Sequence, residues 1–184
     1  MADKDDRCPV GLVKVNKLAA ARRQLDTAIA LWFHDGDPVS VLSLSYAAYE
    51  ILHRLYRNAG FRGLLYDSQH MQEDQRSEFC RLIKSVPNFL KHANRSQGED
   101  AEQWVTFPVT QGVAFMLFSI FALRKLVNPL NDVETAFHVW VRIQEPSWFI
   151  EDSAGDPFPV KAIQKYRNTK PAKFLEDFRK FMGS

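Results

Sequence analysis

The run from Val113 to Leu123 constrains this chain more than any other segment. It holds eleven residues, carries no charge, and has Ser119 as its one hydroxyl. A helix that is apolar all round must be wrapped by other elements, because no face of it suits water. It also falls well short of the roughly 20 apolar residues that a membrane crossing needs. The expectation is a central buried helix over about Val109 to Val127 and no membrane association.

The rest of the sequence supplies helices to wrap it. Leu18, Ala21, Leu25, Ala28, Ile29 and Trp32 recur at helical spacing and predict a first helix from about Val13 to Phe33. His34-Asp35-Gly36-Asp37-Pro38 then makes a tight connection, with Asp37 as N-cap and Pro38 at the first helical position. The second helix runs to about Asn58 and stops at Gly60, with Leu44, Ala48, Ile51 and Leu55 as its inward line. Residues 61–70 read as a loop. A third helix is predicted from about Met71 to Ala93, with Phe79, Leu82, Ile83, Val86 and Leu90 facing the core. Pro87 removes one backbone donor inside it, so a bend is expected near residues 83–87.

The polar stretch 94–103 reads as a surface loop, and Val105 to Val109 is the single hint of a strand. After the central helix, another is predicted over about Val133 to Ile143, capped by Asn131 or Asp132. Residues 144–159 look irregular and pinned by Trp148 and Phe149, and two short helices follow, Pro159 to Tyr166 and Pro171 to Met182. The predicted fold class is all-α: a bundle of four to five main helices with a short helical C-terminal appendage. One domain spans 1–184, with its core in 13–143 and the appendage in 144–184.

Composition excludes several function classes. With 24 basic and 22 acidic residues, a net charge of +2 is too balanced to imply nucleic-acid binding, so electrostatics must come from local patches. Cys8 and Cys80 form neither a disulfide framework nor a CxxC knuckle, which makes a reducing cytoplasm the expected location. The N-terminus is charged and lacks the apolar stretch of a signal peptide. No P-loop, G-x-S-x-G or glycine-rich dinucleotide fingerprint is present.

Two polar stripes stand out. On the second helix, Tyr46, Glu50, His53 and Arg57 share a sector opposite the predicted core line; on the third, Arg81, Ser85, Asn88 and His92 do the same. Each is either a solvated face or a contact surface, and the tyrosines among the charges suit contact. Glu50 and His53 have the E-x-x-H spacing of di-iron bundles, but no second such pair occurs. Nothing in the spacing brings His53, His70 and His92 together around a metal, so no cofactor is expected.

The helix order, Glu50, and the segment Pro87-Asn88-Phe89-Leu90-Lys91-His92-Ala93-Asn94-Arg95 resemble HEPN-like domains over roughly residues 14–127. That resemblance implies a small all-α bundle, homodimeric, acting in bacterial or phage defence or stress. Active members carry an arginine followed by four to six residues and then a histidine, commonly with a polar residue just after the arginine. Here Asn88 and His92 keep the polar residue and the histidine, but Pro87 stands where the arginine belongs. Metal-independent RNA cleavage needs an acid, a base and a cation for the phosphorane. Proline cannot be that cation.

The expected function is therefore a non-catalytic binding protein contacting RNA or a partner protein, with Glu50, His53, Arg57, Tyr46, Lys91 and Arg95 as binding residues. One alternative is a metal-independent endoribonuclease, with His92 as acid or base, Asn88 orienting it, and Arg81 or Arg95 on the phosphate. Another is a structural adaptor with no ligand. Between Lys161 and Lys180, seven basic residues face only Glu176 and Asp177. Phe174, Phe178 and Phe181 at i, i+4, i+7 are expected to dock that segment on the bundle, as Trp140 and Trp148 are expected to serve as core or cover.

Overall fold

The computed structural model describes residues 11–68, 72–92, 104–149 and 165–183. Among them are six α-helices and no strand: α1 Lys17–Phe33, α2 Pro38–Asn58, α3 Glu73–Lys91, α4 Thr110–Leu126, α5 Asp132–Gln144 and α6 Pro171–Met182. Short 3-10 turns at Leu65–Asp67 and Pro146–Trp148 interrupt the loops. The chain is thus the predicted helical bundle with a short C-terminal helix. Residues 105–109 form no strand. The predicted helix over Pro159 to Tyr166 falls mostly outside the described residues.

Local chemistry sets the helix ends. α1 starts at Lys17, later than the periodicity suggested, because the Asn16 side chain accepts the Ala19 N–H at 2.8 Å. Asp37 caps α2 by accepting the Ser40 N–H at 2.8 Å, with Pro38 at the first helical position. At its other end Gly60 takes φ +88°, a conformation that favours glycine. The Gly60 N–H then reaches the Arg57 carbonyl and the Phe61 N–H the Tyr56 carbonyl, closing a Schellman motif. The Phe61 ring packs on Tyr56 at 5.0 Å, which is the apolar contact that usually accompanies it.

α4 is the central helix, with Val113, Phe115, Met116, Leu117, Ile120 and Leu123 all buried. It packs along α2, which is also paired along its length with α1. Being covered on two sides corrects the predicted inward line of α2. Val41, Leu42, Ser45, Tyr46, Ala48, Tyr49, Leu52 and Tyr56 are buried, while Leu44, Ile51 and Leu55 are only half-buried. The real core direction lies about 100°, one residue, from the expected one. Gly112 allows the close approach, since a Cβ there would sit 3.3 Å from Val41 Cγ1.

α3 is peripheral. Val86 and Pro87 are its buried residues, and Leu82, expected in the core, is 54% exposed. The helix continues through Pro87 to Lys91. Proline has no N–H to give the carbonyl four residues back, and the Gln111 amide of α4 donates to that Ile83 carbonyl at 2.8 Å instead. The group orphaned by proline thereby becomes a tie between helices. α6 docks through Phe174 and Leu175, both buried, with Phe178 half-buried. Phe181 is exposed, contrary to the expected docking. Trp140 is a core residue; Trp148 is not, being 43% exposed.

Candidate functional site

The two predicted polar stripes do not meet. Glu50 and His53 of the α2 stripe join a cluster with α3, but through Lys84 and Lys91 and not through Arg81, Ser85, Asn88 or His92. Where α2, the loop at 64–68 and α3 meet, the rings of Tyr49, His53 and Tyr66 form a mutually packed set, with centroids 4.9 to 5.6 Å apart. Tyr49 also touches Phe115, as does Tyr46 at 5.2 Å. Two lysines from α3 close the cluster: Lys84 Nζ lies 4.1 Å over the Tyr66 ring and 3.8 Å from Glu50, and Lys91 Nζ lies 4.2 Å over the Tyr46 ring. Such cation–π contacts hold a helix in place at about 0.5–1 kcal/mol each when partly exposed. Tyr46, placed on an outward stripe by the sequence, is buried, which corrects that expectation.

His53 Nε2 stands 3.5 Å from Asp67 Oδ1, which itself accepts the Leu64 N–H at 2.9 Å. Neither His53 Nε2 nor Asp67 Oδ2 meets a partner at hydrogen-bond geometry, so the contact is a close approach and not a formed bond. Burial pushes the His53 imidazole below its ordinary value, against the pull of Asp67, so it is neutral at physiological pH. The Tyr46 phenol is pushed up to about 12 by burial and the nearby Glu50. Tyr49 and Tyr66 are raised further, again by burial first. A neutral imidazole thus stands beside a carboxylate without a hydrogen bond to orient it, and the hydroxyls near it are poor nucleophiles.

The Tyr66 hydroxyl is buried without a well-formed hydrogen bond, although Glu50 and Tyr46 are close enough to raise its pKa. Removing a polar atom that makes no bond costs little. Tyr66→Phe is expected to change stability by less than about 1 kcal/mol in urea denaturation; a larger loss would show that the hydroxyl is engaged.

The other predicted residues do not join this cluster. His92 is exposed at the C-terminal end of α3, and Asn88 is half-buried one turn earlier. Arg81 is exposed, roughly 16 Å from His92 along the helix at 1.5 Å per residue, and pairs with Glu78 through two hydrogen bonds. Arg57 is exposed in the last turn of α2. Arg95, His70 and Cys8 lie outside the described residues. Among those described, no group of three or more metal-ligating side chains exists, and no helix is long and apolar enough to cross a membrane.

Sequence reasoning missed Tyr66, Asp67 and Lys84. Lys84 and Lys91 were detectable as an i, i+7 pair, two turns apart on one face. Nothing in the sequence placed the Tyr66-Asp67 turn against α2. The chain matches no protein-family model, no curated protein and no solved structure.

Proposed function

We propose that this chain is a HEPN-like helical binding protein that pairs with a second copy of itself and acts by contact, without catalysis. The observation that carries this is an apolar groove between α3 and the start of α4. Phe79, Leu82, Ile83, Pro108, Ala114 and Trp148 line it, with Leu82 and Trp148 standing well exposed at its rim. Large apolar side chains left exposed around a groove suit a contact site, and tryptophan is a favoured anchor residue in such sites. A two-fold pairing buries the same patch twice. The cytoplasmic defence or stress setting follows from the HEPN resemblance and the two-cysteine composition.

The endoribonuclease alternative has less support. Arg81 is committed to Glu78, His92 has no cation placed beside it among the described residues, and the ring cluster around His53 serves packing. Sedimentation velocity should show wild type as a dimer and Leu82→Glu as a folded monomer with an unchanged circular dichroism spectrum. A monomeric wild type would overturn the pairing. With EDTA and no added metal, neither wild type nor His92→Ala should cleave RNA; cleavage by wild type alone would establish the nuclease instead.

A further inference from the structure

Three of the four tryptophans in the chain line one small cavity. It has a volume of about 190 Å³ and is lined by Trp32 of α1, Trp140 of α5 and Trp148 of the turn after α5, with Val113, Gln144 and Glu145. The Trp32 and Trp140 rings lie 5.9 Å apart with their planes inclined at 64°, so they make two walls of a corner. Trp148 is 43% exposed, which puts the third wall at the surface. An apolar cavity of about 150 Å³ holds a benzene, so a guest of similar size fits here.

Rings that pack imperfectly can leave a void, and that is the bland account of this space. Its charge argues otherwise. Glu145 is half-buried on the lining, and among the described residues no basic side chain lies within ion-pair distance of it. No basic side chain lines the cavity either. α5 ends at Gln144, and its last carbonyls carry about half a negative charge; α4 begins at Thr110, also on the lining, with about half a positive one. Those two partial charges offset each other, and the Glu145 carboxylate remains as the net charge of the site.

We propose that this cavity binds a trimethylammonium group, with the indoles of Trp32, Trp140 and Trp148 around its methyls and Glu145 as its counter-charge. The indole face is the best of the aromatic faces for a cation, and methylated ammonium groups are the cations that cages of aromatic rings take. A bare ammonium is strongly hydrated, and one carboxylate among apolar walls replaces little of that water. Calcium and magnesium ask for about six or more oxygen ligands, far beyond what the lining offers. A neutral apolar guest would leave Glu145 covered and unpaired, which is costly. A trimethylammonium is weakly hydrated, apolar on its outside and charged, so it suits walls and carboxylate together. The inference goes beyond self-pairing and does not rest on it, although Trp148 also lines the pairing groove.

Isothermal titration calorimetry of the full chain with choline chloride tests it. Wild type should bind choline with a Kd of about 1 mM or tighter, within what a ligand of seven non-hydrogen atoms can supply. The neutral isostere 3,3-dimethylbutan-1-ol should bind at least about tenfold more weakly, because it fills the same space without the charge. Glu145→Gln keeps the shape of the side chain and should weaken choline binding at least about fivefold. Trp148→Ala, at an exposed position, should weaken it by a similar factor of about five or more. Circular dichroism confirms that both variants are folded. Leu82→Glu should still bind choline, so failure of the pairing and failure of this site are read separately. Acetyl-ε-trimethyllysine amide in a parallel titration identifies the source of the group. A tighter Kd for it would make the ligand a protein side chain, a tighter Kd for choline a free solute, and either upholds the site. No saturable binding of either cation by wild type, equal binding of the neutral isostere, or undiminished binding by Glu145→Gln and Trp148→Ala would overturn the proposal.

Discussion

Replacing Arg22 with methionine is expected to destabilise the fold by about 3–5 kcal/mol, the range for stripping one partner from a buried ion pair. Glu134 has no solvent exposure at all, while the Arg22 side chain is 31% exposed. Its carboxylate accepts Arg22 Nε at 2.6 Å and Nη2 at 2.8 Å, and the Asn131 N–H at 2.7 Å. Asn131 returns the bond by accepting the Glu134 N–H at 2.8 Å, completing a capping box at the start of α5. Its amide also reaches Asp26 of α1 at 3.0 Å. Without Arg22 the carboxylate is left buried with one backbone donor and no route to water.

The converse change, Glu134→Gln, should cost less, because the freed guanidinium can turn toward solvent. Arg22→Met combined with Glu134→Leu should recover much of the loss, since an apolar pair replaces an ionic one at similar volume. Urea denaturation followed by circular dichroism measures all three. A loss below about 1 kcal/mol for Arg22→Met would mean that the Glu134 carboxylate reaches water in the folded protein.

That pair illustrates what the sequence could and could not reveal. Asn131 as a cap was legible, because capping chemistry acts over four residues. The bond from Glu134 to Arg22 was not, because 112 residues separate the two and only the tertiary fold joins them. The same division holds elsewhere. Asp37-Pro38 and Gly60 delimit α2 as read, since each acts on its own turn. The inward face of α2 was displaced by one residue, because periodicity assumes one neighbour and α2 has two, α1 and α4. Pro87 could be read as a missing donor, but its remedy, Gln111, lies on another helix. In the candidate site, Glu50, His53 and Lys91 were legible as polar residues at helical spacing. Tyr66 and Asp67 were not, because a loop's position against a helix leaves no periodic trace.

Acidification should destabilise wild type more than His138→Phe. The His138 ring lies between Phe121 and Phe149, with centroids 5.9 Å from each. Burial, then the charges of Arg124 and Arg142, push its pKa down to about 4 from 6.5. The unfolded chain therefore takes up a proton below pH 6.5 that the folded chain refuses. Stability is complete above pH 6.5 and declines as pH falls, until the folded-state pKa near 4 is reached. The slope is at most about 1.4 kcal/mol per pH unit for one group, giving about 3 kcal/mol across the window as an upper bound.

Phenylalanine fills the same aromatic slot without a titrating nitrogen, so the variant should lose only what other groups contribute. His53, also lowered by burial, acts in the same direction, and Asp26, raised by burial, acts in the opposite one. Both remain in the two proteins and cancel in the comparison. The measurement is the difference in urea midpoint between pH 7 and pH 4.5, taken for each protein. Equal losses would show that the ring is already solvated or charged in the native bundle. A smaller loss in His138→Phe would establish that α5 carries its histidine neutral because two arginines and two phenylalanines leave the proton no favourable place.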